Sequence, residues 1–496
     1  MASDIQIVQK PVDTADKVPV ITNWTPAVGY MIYQDDATTA SYYYYKLILE
    51  VRLDDASGTI IGKIKQRRNG YSVDVGANKA RAFFDLREII NSQLTNTVFD
   101  QNDSTVPFRT IHKIGVNTIA KPFSVNGDRN TDETQLQTIY VKGYQEYSIS
   151  ASAVPEEITS DTVTDTLYYI SASLPLLTER DDDANYIQGT AFQPYQASNA
   201  TDLFLSDVEE SAGEYNISGR INYIQWNDST NTGDYHTVAF LNDFSNFTSD
   251  LDYIQIAYYN SSNVLINDAE YISNVSGNGG ATPSGGSLTD DERLLYFGCG
   301  AGNLEAQNDK TDARPSNNAG WAYYTIRGTS TTPVDPTAAT FETAPYYFIK
   351  QDGSCKGFKV RRLAWRNSLG CYDYFNFKMK STQTTNIERN NYSSMLGTFN
   401  KSKWRYNNTQ RGKTTRQTTA TLSEILNTDW ITEQDANLLE KLIMSTDAYI
   451  VENADTDFTQ AVMIKDSSFV KKTVANDKLI KYTINIEYAN PVNTNS

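Results

Sequence analysis

Strict alternation of apolar and polar residues recurs along this chain, and it limits the fold more than any other feature. A side-chain period of two fits a strand with one face on a core, and it does not fit an amphipathic helix. Residues 363–380, LAWRNSLGCYDYFNFKMK, are the richest instance. Leu363 and Trp365 alternate with polar neighbours, and Asn367, Ser368 and Gly370 supply a turn. Beyond it Cys371, Asp373, Phe375, Phe377 and Met379 alternate with Tyr372, Tyr374, Asn376 and Lys378. The pattern predicts a β-hairpin whose Trp365, Phe375 and Phe377 pack the core of the last domain. Residues 480–488 show the same period, Ile480, Tyr482, Ile484, Ile486 and Tyr488 standing between Lys481, Thr483, Asn485 and Glu487.

The alternating segments fall into three blocks, and the predicted fold is mainly β: tandem β-sandwich-like domains, then a C-terminal α+β domain carrying one helix packed on a sheet. The 496 residues suffice for about three domains, each able to bury its own core. The first block, residues 1–154, opens with strands over 43–53 and 59–65, joined by a turn at Asp54, Asp55, Ser57 and Gly58. Tyr43, Tyr45, Leu47, Leu49, Val51 and Leu53 make the apolar face of the first strand, while Lys46, Glu50 and Arg52 predict a wet face opposite. A short helix is expected over 86–94, with Asp85 and Glu88 at capping spacing, and a strand over 135–144 leads to a linker at Pro155, Glu156 and Glu157. The second block, 155–345, reads as strand and turn throughout, with a Gly/Ser-rich loop at 276–287 and a loose stretch at 329–345 that sets the next boundary. The third block, 346–496, holds the 363–380 hairpin, a basic Asn/Thr-rich stretch at 401–416 and one well-marked helix. Thr432 caps that helix with Asp435 at N3, and Ala436, Leu439, Leu442 and Ile443 form its apolar stripe, with Leu438 alongside. Leu439 and Ile443 thereby join the predicted C-terminal core.

The charge balance narrows function. Sixty acidic residues against 43 basic ones give a net charge of -17, which argues against general nucleic-acid binding. Two basic patches stand out: Lys63, Lys65, Arg67 and Arg68, and then Lys401, Lys403, Arg405, Arg411, Lys413 and Arg416, interleaved with Trp404 and Tyr406. The second patch reads as a candidate subunit interface, a joint with an acidic copy of the same chain, in preference to a phosphate-binding strip. Cys299, Cys355 and Cys371 are odd in number and far apart, with neither a CxxC pair nor a neighbouring His, and reduced, partly buried thiols are expected. No apolar run reaches the roughly 20 residues that span a bilayer, so no membrane insertion is expected. The start, MASDIQIVQKPVD, lacks a signal-peptide pattern, and synthesis and storage in the cytosol are expected.

Catalytic chemistry is thinly represented. Histidine occurs only at positions 112 and 236; His236 stands near Asp234, but no G-x-S-x-G elbow accompanies it. Glu179, Asp181, Asp182 and Asp183 form the densest acidic run and fit a solvated turn better than a glycosidase pair. Gly298, Gly300 and Gly302 spell GCGAG without a following Lys-Ser/Thr, and with no strand-loop-helix expected around them they do not predict a phosphate loop. No enzymatic activity, metal or cofactor is expected. The run Tyr42, Tyr43, Tyr44, Tyr45 offers rings that could stack on sugar, half of them owed to the core.

Six segments in chain order carry a family likeness: KLILEVRLDDASGTIIGKIKQRRNG, FFDLREIINSQL, IYVKGYQEYS, GDYHTVAFLND, LAWRNSLGCYDYFNFKMKSTQT and WITEQDANLLEKLIMSTDAYIVE. Together they resemble the tail-associated structural proteins of tailed bacteriophages, especially marine phages and those of Bacteroidetes hosts. The resemblance implies a virion component of the tail or baseplate. It would be assembled in the host cytoplasm as a homo-oligomer and joined to other tail or baseplate proteins. Two further readings stay open. One is a tail protein whose middle block reads a host surface glycan through Tyr, Trp226, Asn and Asp side chains; the other is a polysaccharide depolymerase using Asp182 and Asp183. The resemblance transfers no catalytic residue.

Overall fold

A computed structural model of the chain describes residues 5–11, 20–21, 29–34, 42–67, 80–94, 112, 123–125, 136–170, 172, 204–241, 253–273, 294–306, 311–329, 341, 343–351, 357–451, 459–471 and 480–490. The chain is mainly β, with several sheets and three short α-helices among the described residues. It divides into two compact units, residues 1–351 with 366–373, and residues 352–365 with 374–496.

In the first unit a five-stranded sheet runs in the order Val20–Ile21, Glu156–Ile170, Leu136–Ser148, Tyr43–Leu53, Ile60–Arg67. A three-stranded sheet of Ile5–Gln9, Gly29–Gln34 and Ala80–Asp85 lies against one face of it. Between them the hydroxyls of Tyr30 and Tyr169 meet at 3.3 Å. Gly143 makes room for Ile32, since a Cβ there would stand 2.6 Å from Ile32 Cδ1. The apolar alternation of the first strand is satisfied here, with Leu47, Leu49 and Val51 fully buried.

The opposite face is not simply wet, because Ile48 and Glu50 are also buried. Long side chains on the flanking strands shelter them: Ile48 sits opposite both Lys65 and Tyr144, and the Tyr144 hydroxyl donates to Glu50 Oε2 at 3.4 Å. The short helix spans only Arg87–Asn91, and Asp85 accepts from the Arg87 backbone N–H at 3.1 Å instead of serving N3. The boundary expected after residue 154 is overturned. Leu136–Ser148 and Glu156–Ile170 are partners in one sheet, Leu136 facing Ile170 and Tyr147 facing Glu156, so the segment between them is a hairpin turn.

The rest of this unit is built on strands in the order Glu210–Ala212, Ser218–Asn227, Tyr346–Gln351, Tyr323–Thr329, Tyr253–Tyr259, Glu270–Ser273, with Thr232–Gly233 also paired to Ser218–Asn227. A smaller sheet joins Thr237–Leu241, Leu294–Gly298 and Phe123–Val125. The tyrosine excess of the sequence is spent here: Tyr258, Trp321, Tyr324 and Phe348 are neighbours with ring centroids 5.0–5.8 Å apart. Such pairs add about 0.5–1.5 kcal/mol beyond the area they bury. The boundary expected after residue 345 also moves. Tyr346–Gln351 is hydrogen-bonded on both sides, by Ser218–Asn227 and Tyr323–Thr329, and so belongs to the first unit. The loop at 276–287 and most of 329–345 lie outside the described residues.

The second unit carries most of a seven-stranded sheet in the order Tyr372–Phe377, Arg361–Arg366, Ala448–Val451, Thr459–Ile464, Thr483–Tyr488, Lys413–Asn427, Thr382–Ser393. Its helix, Glu433–Met444, starts in a capping box: Asp435 N–H donates to Thr432 Oγ1 at 3.2 Å and Thr432 N–H to Asp435 Oδ2 at 3.1 Å. Ala436, Leu438, Leu439 and Leu442 are buried, whereas Ile443 is only half-buried, so Leu438 takes the place the stripe assigned to it. The 363–380 hairpin turns where its side chains dictate. Asn367 Oδ1 accepts from the N–H groups of Leu369 and Cys371, and Gly370 supplies a φ of 84°. Trp365 and Phe377 are buried, but Tyr372, Tyr374 and Asn376 are buried with them, and Phe375 is half-buried. The alternation therefore marks a strand covered on both faces.

Candidate interaction surfaces

The basic stretch forms a β-arm. Thr382–Ser393 and Lys413–Asn427 pair in antiparallel register from Thr382 opposite Ile425 to Ser393 opposite Lys413, with one bulge at Asn390/Asn391. Thr483–Tyr488 pairs with Lys413–Asn427 only over Ser423 to Asn427, and outward of that the ribbon has two strands among the described residues. At about 3.3 Å per residue the free ribbon reaches roughly 30 Å. All twelve residues of Thr382–Ser393 are exposed. Thr, Asn and Gln dominate both strands, so the β-branched threonines favour extended backbone while supplying no core.

A folded knob ends the arm. Ser394 N–H donates to Gly412 O at 2.8 Å, and Thr398–Asn400 pairs with Lys403–Arg405 around Lys401, whose φ is 59°. Phe399 and Trp404 meet edge to face at 5.1 Å, and Trp404 Nε1–H donates to Leu396 O at 2.9 Å. Gly397 is required beneath that indole: its φ is 106°, and a Cβ would stand 2.2 Å from Trp404 Nε1. Even so, Met395, Phe399 and Tyr406 remain 78%, 71% and 70% exposed, three large side chains left in solvent on one short knob.

Lys401, Lys403, Arg405, Arg411, Lys413 and Arg416 are all exposed on this arm and knob, and none forms an ion pair with a described carboxylate. Between residues 382 and 418 there are seven cations and one carboxylate, Glu388. Out of 43 cations and 60 carboxylates in the whole chain, the remainder keeps 36 and 59. The arm is a cationic limb on a strongly anionic molecule. Its basic and aromatic composition was legible in the sequence; its strands were not, because nothing in them alternates in hydrophobicity.

The other basic patch is largely neutralised. Lys63 Nζ stands 2.7 Å from Glu157 Oε2, Lys65 pairs with both Glu146 and Glu157, and Lys46 Nζ stands 2.7 Å from Glu146 Oε1. The Lys63 and Lys65 ammoniums pull the Glu157 carboxyl down to about 2. Arg67 is exposed with no described partner, and Arg68 lies outside the described residues.

The remaining sites of the sequence are closed to chemistry or lie elsewhere. His236 is 1% exposed, with its ring edge-on to Phe348 at 4.9 Å, and the Asp234 carboxylate accepts the Gln225 backbone N–H at 2.8 Å. Asn303 ties both histidines into the framework, donating to His112 O at 3.0 Å and accepting from His236 N–H at 2.9 Å. A strand-turn-helix does surround GCGAG, contrary to expectation, since Leu294–Gly298 leads into the helix Ala301–Glu305. Its amides are nonetheless spent: Gly300 N–H donates to His236 O and Gly302 N–H to Asp234 O, so no phosphate cradle is left. Trp226 is buried and donates to Asp228 Oδ1 at 2.9 Å, which removes it as a glycan reader. Cys299 and Cys371 are buried and free, and burial pushes the Cys371 thiol up to about 12; Cys355 is outside the described residues. Glu179, Asp181, Asp182 and Asp183 are outside them too. Among the described residues no cluster of His, Cys, Asp and Glu could hold a metal ion, and no helix is long and apolar enough to cross a membrane.

No protein-family model matches the chain, and comparison with curated proteins finds none similar to it.

Proposed function

We propose that this chain is a structural assembly protein that joins subunits through its basic β-arm, and, on the sequence resemblance, that its setting is the tail or baseplate of a tailed-phage virion. The observation that carries this reading is the arm itself. A two-stranded ribbon is marginal in water when nothing covers it. Here it ends in a knob that keeps Phe399, Tyr406 and Met395 in solvent. Its seven cations face a molecule whose remainder carries 59 carboxylates, so a second copy of the chain is the partner with the right charge. Polyphosphate is disfavoured because that anionic remainder repels it.

Sedimentation velocity on the full chain tests the joint. The intact protein is expected to associate at low salt, and replacing residues 394–412 by an Asn-Gly turn is expected to leave monomers. Association unchanged by that replacement would assign the joint to another surface. Mass spectrometry of purified virions tests the setting, and absence of the chain from the particles would sink it.

A further inference from the structure

In the first unit a cleft of about 780 Å³ opens between the start of the strand Tyr43–Leu53 and the hairpin turn at 149–155, lined by Tyr42, Tyr44, Tyr45, Lys46, Arg67 and that turn. The volume is in the range of sites that hold small ligands. A β-bulge builds it. The strand pairs Tyr43 with Ser148 and Lys46 with Glu146, so Tyr44 and Tyr45 together oppose Tyr147. The extra residue takes a left-handed conformation, Tyr44 φ 57°, which a bulky side chain rarely adopts, and its hydroxyl is fastened to Ala151 O at 2.9 Å. Bulges re-aim side chains, and backbone outliers of this kind gather at binding sites. Here the bulge breaks the alternation that would have sent Tyr44 and Tyr45 to opposite faces.

Tyr42, Tyr44 and Tyr45 line the cleft, and Tyr147 backs the Tyr42 ring from outside the lining. Tyr42 stacks on Tyr147 at 3.8 Å with 3° between planes, and Tyr45 lies 6.2 Å from Tyr147 at 17°, so three rings are close to parallel. Tyr45 is fixed by donating to Gln145 Oε1 at 3.0 Å. Lys46, also in the lining, is committed to Glu146, while Arg67, opposite it in register and likewise a lining residue, has no described partner. Flat tyrosine faces suit the C–H face of a sugar ring, and an unpaired planar guanidinium suits a carboxylate bidentately. The cleft is walled on its other side by the turn residues Ala151 to Pro155.

We propose that this cleft binds an acidic saccharide, its pyranose ring laid against the lining tyrosines and its carboxylate held by Arg67. The cleft is built from residues of the first unit and shares none with the β-arm. Saturation-transfer NMR and calorimetry on the full chain test it, with tetragalacturonate, a hyaluronan tetrasaccharide and sialyllactose as probes and maltotetraose as the neutral control. At least one acidic probe is expected to bind saturably and about tenfold tighter than maltotetraose, the size of one charge-assisted bond. Arg67→Gln should erase that preference. Tyr44→Gly should weaken binding while leaving the melting temperature in place, because glycine relieves the left-handed backbone as the ring is lost. No saturable binding of any acidic probe at tens of millimolar, equal binding of maltotetraose, or binding indifferent to both substitutions would each overturn the proposal.

Discussion

Two buried carboxylates, Glu424 and Asp373, have opposite surroundings and should respond oppositely to change. Glu424 has a fully buried side chain, and burial alone would raise it; Arg361, Tyr488 and Gln383 all donate to it and hold it below the usual carboxylate range. Removing one partner of such a pair strands the other charge, at a cost of about 3–5 kcal/mol. Arg361→Met should therefore lower the urea-unfolding free energy of the second unit by that order. Adding Glu424→Gln should return a large part of it, since no buried charge is then left. A loss below about 1 kcal/mol for Arg361→Met, the range of exposed pairs, would mean that water reaches Glu424. Asp373 sits in the first unit, where burial and the neighbouring Asp207 push it up to about 7 although Ser206 Oγ and Asp207 N–H both donate to it. Its folded pKa is raised, so the folded state favours its proton. Stability from this group is fully present below the unfolded value near 4 and is lost as pH rises through about 7.

At the scale of elements, legibility followed hydrophobic contrast. The capping box at Thr432 and Asp435 could be read residue by residue, and the strand Tyr43–Leu53 in its bounds and its Leu47, Leu49 and Val51 face, because capping chemistry and apolar spacing are local. The domain boundaries could not. The turn after residue 148 looks like a linker in sequence, and only the pairing of Leu136–Ser148 with Glu156–Ile170 makes it a hairpin. Phe375 and Ile443 were assigned to the core by period, yet period fixes only which face a residue shares, and depth is set by what packs on that face. The arm escaped because exposure on both faces leaves no alternation to detect. The same exposure makes a prediction. Residues 394–412 cover no core of the body, so replacing them by an Asn-Gly turn should change unfolding free energy by no more than about 0.5 kcal/mol, as for surface changes generally. A larger loss in a thermal or urea scan would show the knob to be part of the fold's stability rather than a limb.

Across the whole molecule, charge sets both the pH and the salt behaviour. Glu157, held down to about 2 by Lys63 and Lys65, contributes stability that is present above its unfolded value near 4.5 and is lost as pH falls toward 2. Asp373 removes stability in the opposite direction, between about 4 and about 7. Self-repulsion from a net charge of -17 grows along the same rising limb. The melting temperature should accordingly peak near pH 4.5 to 5 and fall on both sides. Glu157→Gln should flatten the acid limb and Asp373→Asn the neutral one; a profile peaking above pH 7 would contradict the assignment of Asp373, and an acid limb unchanged by Glu157→Gln that of Glu157. Salt separates the two forces available to the arm. If its cations carry the joint, association measured by sedimentation should weaken at least tenfold between 0.1 M and 1 M salt, as the screening length falls from about 10 Å to about 3 Å. If Phe399, Met395 and Tyr406 carry it instead, association should hold or tighten, because burial of apolar surface is not screened. Replacing Lys401, Lys403, Arg405 and Arg411, four of the seven cations, by glutamine should weaken the salt dependence in the first case and leave affinity untouched in the second.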